Sequence, residues 1–395
     1  MIQTTPRTPS AGLVHFALAM GGFAIGTTEF ATMSLLPYFS EGLGIDEPTA
    51  GHVISAYALG VVVGAPLIAV LSARMARRSL LLILMGLFAL ANGLSALAPT
   101  YEWMLVFRFL SGLPHGAYFG IAALVAASLV PVDQRTKAVS RVMLGLTTAT
   151  VVGVPVANLI GQAVGWRWGF GLVAVIAVLT VAMVWKVAPR DKPQPNASPW
   201  QELGALAKEQ VWLTLAIGAI GFGGLFAVYT YLASTLIEVT GVGPATVPLV
   251  LAIFGVGMTL GNLVVPRFAD KALMPTAGAL LLGSAAALAA YTVAAHNIVA
   301  ISLAVVVIGF GGALGTVLQT RLMDVAGNAQ SLAAALNHSA FNAANALGPW
   351  LGGMAIAAGY GWTSTGWVGA GLALGGFAML LVSVYRMPAQ RLANA

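Results

Sequence analysis

The 395-residue chain has no cysteine and very little charge: 18 Lys and Arg against 12 Asp and Glu, 8% of all residues. Without cysteine there is no disulfide, no thiolate nucleophile and no Cys-ligated metal. A soluble domain carries about 25% charged residues, so a water-facing surface cannot be built from this composition. The usual marks of an enzyme are also missing. There is no Walker-type loop and no pair of histidines at i, i+4 on a helix. The glycine-rich GFGGALG (309–315) follows no strand and sits inside an apolar run, so it reads as close helix packing rather than a phosphate cradle. No cofactor and no metal are expected. The residues present are 59% hydrophobic, with mean hydropathy +0.90. Lipid is therefore the main solvent. The apolar runs are long and continuous, without the alternation of barrel strands, so an all-α membrane protein is expected.

A helix needs about 20 apolar residues to cross the hydrocarbon layer. Twelve such stretches are present, at 11–36, 49–72, 79–98, 102–130, 138–163, 166–187, 210–236, 245–268, 275–295, 298–323, 330–358 and 362–385. Sixteen of the eighteen basic residues fall on one face of this arrangement; only Arg167 lies opposite and Arg108 lies within a span. The opposite face carries Glu41, Asp46, Glu47, Glu102 and Glu238. Excess Lys and Arg mark the cytoplasmic side, so both termini are expected in the cytoplasm of a bacterial inner membrane. The net charge of +6 is then a topology signal beside anionic lipid, not a nucleic-acid footprint. The first span is too long for a signal peptide. One long polar connection, VAPRDKPQPNASPWQELGALAKEQ (187–210), carries prolines at 193, 195 and 199. It divides the chain into residues 1–187, a linker 188–209, and residues 210–395.

The two parts repeat. Trp166 and Trp362, Pro155 and Pro349, and Arg74 and Lys271 are each separated by about 195 residues. Duplicated six-span halves are a layout of secondary transporters, with the substrate site near the midplane between them. The stretches GTTEFATMSLLP (26–37), SAYALGVVVGAPL (55–67), VFRFLSGLPHGAYFG (106–120) and GWRWGF (165–170) resemble the major facilitator superfamily, in particular its twelve-span proton-coupled sugar- and drug-efflux branch. The resemblance implies two pseudo-symmetric six-helix bundles, a proton as the coupling ion, and a monomer. The family's loop after span 2 usually reads Gly-x-x-x-Asp-Arg-x-Gly-Arg-Arg. Here AVLSARMARR (69–78) keeps Arg74, Arg77 and Arg78 but has alanine for the acid and both glycines. The second half, PRFADK (266–271), keeps Asp270 and Lys271. A gating role for these five residues is implied by the resemblance. The efflux-associated Gly-Pro pattern is loosened to GVPVAN in span 5 (Gly153, Pro155) and is fuller as GPWLGG in span 11 (Gly348, Pro349); kinks are expected at both.

A charge at the centre of a membrane helix costs about 2.5–3.5 kcal/mol on insertion scales. Glu29 and Arg108 lie deep enough to incur it. Gly22, Gly26, Glu29 and Met33 form one face of span 1, and Arg108, Gly112, His115 and Phe119 one stripe of span 4. At 1.5 Å per residue, Glu29 and Arg108 lie at similar height, about 7 and 10 Å above the midplane, with His115 near it. By resemblance, spans 1, 4, 7 and 10 line the central cavity, which would bring the pair face to face. Burial disfavours the charged carboxylate and a nearby guanidinium favours it, so changing water access would switch Glu29 between its two forms. His115 is a candidate relay or substrate contact, with a neutral imidazole hydrogen-bonded in a helix interface as the alternative. The alternatives are a permanent Glu29–Arg108 bridge gluing two helices, and two residues that never meet.

The second half has no comparable buried charge. Phe222, Phe226 and Tyr229 share a stripe of span 7. In span 11, Asn337, Phe341 and Asn345 share a stripe, with His338 and Asn342 beside it. These and Gln319 of span 10 are the candidate substrate contacts. Uncharged hydrogen-bonding groups suit a sugar or a neutral amphipathic drug. The expected activity is export by proton antiport; proton symport for uptake would use the same residues and stays open.

Overall fold

The computed structural model of the chain describes residues 10–72, 74–131, 135–191, 204–326 and 330–393. Eleven helices among them are long and apolar enough to cross a bilayer. They are α1 (Ala11–Ser34), α2 (Glu47–Ile68), α3 (Arg77–Ala96), α4 (Tyr101–Ser128), α5 (Arg141–Val164), α6 (Arg167–Val187), α7 (Glu209–Thr230), α8 (Pro244–Ala269), α9 (Leu273–Ala294), α10 (Ile298–Ala326) and α12 (Ser364–Arg386). Between the last two runs α11 (Gln330–Ala355). Its 26 residues suffice for a crossing, but Asn337, His338, Ser339, Asn342 and Asn345 dilute its apolar character. No strand occurs among the described residues. The expected linker 188–209 falls largely on residues 192–203, outside those described.

Local chemistry sets the helix ends and breaks. The Asp46 side chain accepts from Thr49 N at 2.7 Å and starts α2, with Pro48 in the first turn. Asn297 starts α10 by accepting from Val299 N and Ala300 N. Leu113 and Pro114 divide α4 into Tyr101–Gly112 and His115–Ser128. In α5 the expected kink takes the form of a π turn, Ala149–Gly153, closed by Val154 N–H donating five residues back to Ala149 O. Pro155 follows with no N–H to give, so the regular ladder cannot run through. Pro349 lies inside the continuous α11.

The helix pairing repeats with a shift of six. Contacts α1–α5, α2–α4 and α3–α6 in the first half recur as α7–α11, α8–α10 and α9–α12 in the second. The halves meet through α2–α11 and the equivalent α5–α8. The register is kept by glycines. A Cβ on Gly60 would strike Phe109 O and one on Gly64 would strike Leu113 O; 197 residues on, Gly257 meets Val306 O and Gly261 meets Phe310 O. The α2–α4 and α8–α10 backbones therefore touch in the same way, as small residues allow in membranes.

The apolar cores are distributed unevenly. One cluster lies wholly between Val14 and Ala188, another between Val211 and Ala340. The largest joins both halves, and its first-half members (Phe30, Leu35, Phe39, Val53, Met104, Trp166 among them) sit toward the end that carries Glu41, Asp46 and Glu47. The halves thus share a core at this acidic end and keep separate cores toward the basic end, where Arg74, Arg77, Arg78 and Arg386 lie. Hydrogen bonds tie the same acidic end: Ser234 donates to Glu47, and Gln162 Nε2 donates to Pro244 O at 3.0 Å.

Candidate functional site

Arg108 is 1% exposed and is held inside the first half by neutral groups. Its Nη1 donates to Thr28 Oγ1 at 3.0 Å and to Asn92 Oδ1 at 3.3 Å. Thr28 itself donates to Asn92 Oδ1 at 2.7 Å, and Asn92 Nδ2 is spent on Phe88 O. The guanidinium lies over the Tyr57 ring, 4.3 Å from its centroid, a contact worth about 2 kcal/mol when desolvated. Phe170 stands on another side at 5.4 Å. Side chains of α1, α2, α3, α4 and α6 therefore converge on one cation. The Tyr57 hydroxyl carries the chain onward to His115 Nδ1 at 2.9 Å.

Glu29 is 7% exposed, one residue along α1 from Thr28. It receives a hydrogen bond from Asn345 Nδ2 of α11 at 3.3 Å. No ion pair joins it to Arg108: among the described residues the recorded salt bridge is Arg386–Glu209, at the surface. The two charges that the sequence singles out are brought into the same region, each bonded to neutral partners, with Arg108 Nε left buried and without one. Asn345 belongs to the second half, so its bond to Glu29 crosses between halves, next to Ser55 Oγ donating to Ala346 O at 3.0 Å.

Phe30, the next residue of α1, enters an aromatic group from the second half. Its ring lies 6.1 Å from Phe226, 5.4 Å from Tyr229 and 6.4 Å from Phe254. Phe222 continues the α7 stripe, packing on Phe226 and, at 4.7 Å, on Phe341 of α11. The stripe thus faces the opposite half, not lipid. Toward the basic side, His338 stacks on Phe119 at 5.3 Å, and its centroid is 5.9 Å from that of His115. Asn342 Nδ2 donates to His338 O, while Asn337 is buried. Gln319 is half-buried on α10 and joins none of these contacts. Among the described residues, half of the buried polar atoms recorded without a hydrogen-bond partner are these on the three facing helices: Thr27 Oγ1 of α1, Tyr229 OH and Thr230 Oγ1 of α7, and Ser339 Oγ, Asn342 Oδ1 and Asn345 Oδ1 of α11.

Of the expected kink residues, Gly153 presses α5 onto Thr27, and Gly348 packs against the α7 backbone at Gly223. Pro349 O accepts from Tyr231 OH at 2.9 Å. At the basic end Arg74, Asp270 and Lys271 are exposed. The backbone N–H groups of Arg77 and Arg78 donate to the Asp191 carboxylate at 2.7 and 3.1 Å. An acid distant in sequence therefore caps α3, where the loop 69–78 lacks one of its own.

Thr28, Asn92, Tyr57, Phe30, Phe254 and Asp191 were not singled out by sequence reasoning. Asn92 was the most visible, a lone amide in the apolar LFALANGLSA (87–96).

The chain matches the family model described as Major Facilitator Superfamily over residues 18–326 and 241–395. It is 39% identical to the inner membrane transport protein YdhP of Escherichia coli K12, covering 93% of this chain and 94% of that protein. It is 33% identical to a chloramphenicol resistance protein of Streptomyces lividans, covering 85% and 86%. Among solved structures, the human organic anion transporter MFSD10 superposes with a TM-score of 0.70 at 13% identity, covering 94% and 100%. With its multi-pass helical fold, the chain belongs to the major facilitator superfamily and is a transporter, not an enzyme.

Proposed function

We propose that the protein is a proton-driven exporter of a small neutral or amphipathic solute in a bacterial inner membrane, with Glu29 as the coupling acid and the basic end in the cytoplasm. One observation carries this: Glu29 is buried between the halves with a neutral partner and no ion pair to fix its charge. A carboxyl in that setting changes form when water reaches it from a different side. With the acidic end open, Glu29 takes a proton from that side. The neutral acid tolerates burial, so the acidic end closes and the basic end opens. The proton then leaves toward the basic side, and solute enters while Glu29 is a carboxylate. The return step carries solute outward, which is antiport by alternating access.

The aromatic group around Phe30 and the unpartnered hydroxyls and amides on α1, α7 and α11 support a solute with an apolar body and hydrogen-bonding groups. The relative named for chloramphenicol resistance is consistent with that class. His115, tied to Tyr57 and facing His338, is assigned as a relay on the basic side.

The test is a proteoliposome with a pH-sensitive dye inside, given candidate sugars, chloramphenicol-like drugs and nucleosides. Solute and proton moving in opposite directions is the expected result. Movement in the same direction decides for symport and against export. Glu29→Gln is expected to abolish proton movement and to leave some solute exchange.

A further inference from the structure

We infer that Asn345 senses the protonation of Glu29 and converts it into closure of the acidic end. The inference rests on the assignment of Glu29 as the coupling acid. Asn345 is fully buried, and its amide shows the carboxyl two faces of opposite chemistry. Nδ2 donates to Glu29 Oε1 at 3.3 Å. Oδ1, the other end of the same amide, is buried with no hydrogen-bond partner. A carboxylate has no hydrogen to offer it, so the charged form leaves that oxygen unsatisfied. A protonated carboxyl has one. Neutral Glu29 can accept from Nδ2 and donate to Oδ1 together, a closed pair of hydrogen bonds across the two halves.

Both consequences act in one direction. Protonation removes the cost of a buried carboxylate, and it satisfies an acceptor whose isolation is unfavourable. Each benefit exists only when α1 and α11 are together, because Glu29 and Asn345 come from opposite halves. The neighbouring contacts between halves, Ser55 to Ala346 O and the Phe30 aromatic group, form in the same movement. The titratable and charged groups on the elements packed around this point are Tyr57 on α2, Arg108, His115 and Tyr118 on α4, Tyr229 on α7 and His338 on α11. Arg108 is held by Thr28 and Asn92, and Tyr57 is bonded to His115, which leaves Asn345 as the recorded partner of the carboxyl. Asn345 is thus a positioning residue of the coupling step.

The absence of cysteine makes the test direct. Spin labels are attached at Glu41→Cys and Ala245→Cys, exposed positions on opposite halves at the acidic end. Their separation is measured by pulsed electron resonance in lipid nanodiscs between about pH 5 and pH 9, a range that brackets neutrality. In the otherwise unchanged protein the short-distance population grows as pH falls. Glu29→Gln, whose side-chain amide can make both bonds without titrating, holds the short distance at every pH. Asn345→Leu, which keeps the burial cost of the carboxylate but loses the paired hydrogen bonds, reaches a smaller short-distance population at low pH, and Asn345→Asp restores it because two carboxyls can share a proton. A short-distance population in Asn345→Leu that rises at low pH to the level of the unchanged protein overturns the role of Asn345 while leaving Glu29 as the coupling acid. A response that survives in Glu29→Gln instead removes Glu29, and this inference with it.

Discussion

Arg108 shows how a buried cation is accommodated without an acid. Thr28, Asn92 and the Tyr57 ring hold it, and each bond to a charged group contributes about 1.5–3 kcal/mol. Asn92→Ala is therefore expected to lower stability by roughly 2 kcal/mol, read as a lower unfolding midpoint in detergent. Asn92→Asp keeps the acceptor and adds a charge opposite to the guanidinium, so its midpoint should exceed that of Asn92→Ala. The duplication sharpens the point. In the glycine register, Arg108 corresponds to Val305 and Tyr57 to Phe254, both buried and apolar. The charge machinery is confined to the first half. Glu29 and Arg108 were legible in the sequence because a charge stands out in an apolar run. Their partners were not, because a threonine, an asparagine and a tyrosine have many uses in a membrane helix. Only packing shows that three helices aim them at one point. The expected direct pairing of Glu29 with Arg108 gives way for the same reason: Thr28 and Asn92 occupy the guanidinium, and Asn345 comes from a helix about 300 residues away.

At the scale of elements, the α2–α4 and α8–α10 crossings depend on backbones in contact. Gly60→Val and Gly257→Val are expected to destabilise to a similar degree, by more than the 1–3 kcal/mol typical of overpacking, since a carbonyl oxygen cannot yield as a side chain can. Gly86→Ala, at a position with open space, should be neutral or slightly stabilising in the same unfolding measurement. Helix starts give a pH prediction. Hydrogen bonds from Thr49 hold the Asp46 carboxyl below the usual carboxylate range. A depressed value in the folded state means that the cap is fully present at neutral pH and is lost as pH falls through that value. Protection of the Thr49 and Ala50 amides, relative to their intrinsic exchange rates, should therefore fall on strong acidification, and Asp46→Asn should flatten the response. The spans and their breakers were legible from hydropathy and proline. The π turn of α5 was legible only as a kink, because proline shows where a ladder fails and not how the backbone closes the gap. The glycine register, at a constant 197, was present in the sequence, but its meaning as backbone contact needed the crossing geometry.

For the whole molecule, the halves share an apolar core at the acidic end and have separate apolar cores toward the basic end. Cysteines at Arg74 and Asp270, exposed at the basic end, should react readily with a water-soluble thiol reagent in this state, and cysteines replacing buried Phe30 or Tyr229 should not. The duplication was legible from landmarks about 195 residues apart. Which end carries the shared core was not, since a transporter working by the proposed alternating access encodes two states with a small energy difference between them. In the proposed mechanism, what moves the molecule between them is the form of a single carboxyl. Infrared difference spectroscopy in lipid bilayers reads that form directly. The account predicts a protonated-carboxyl band that grows between about pH 9 and pH 5 and is absent in Glu29→Gln. A spectrum in which Glu29 stays ionised across that whole range, with either end open, would contradict it.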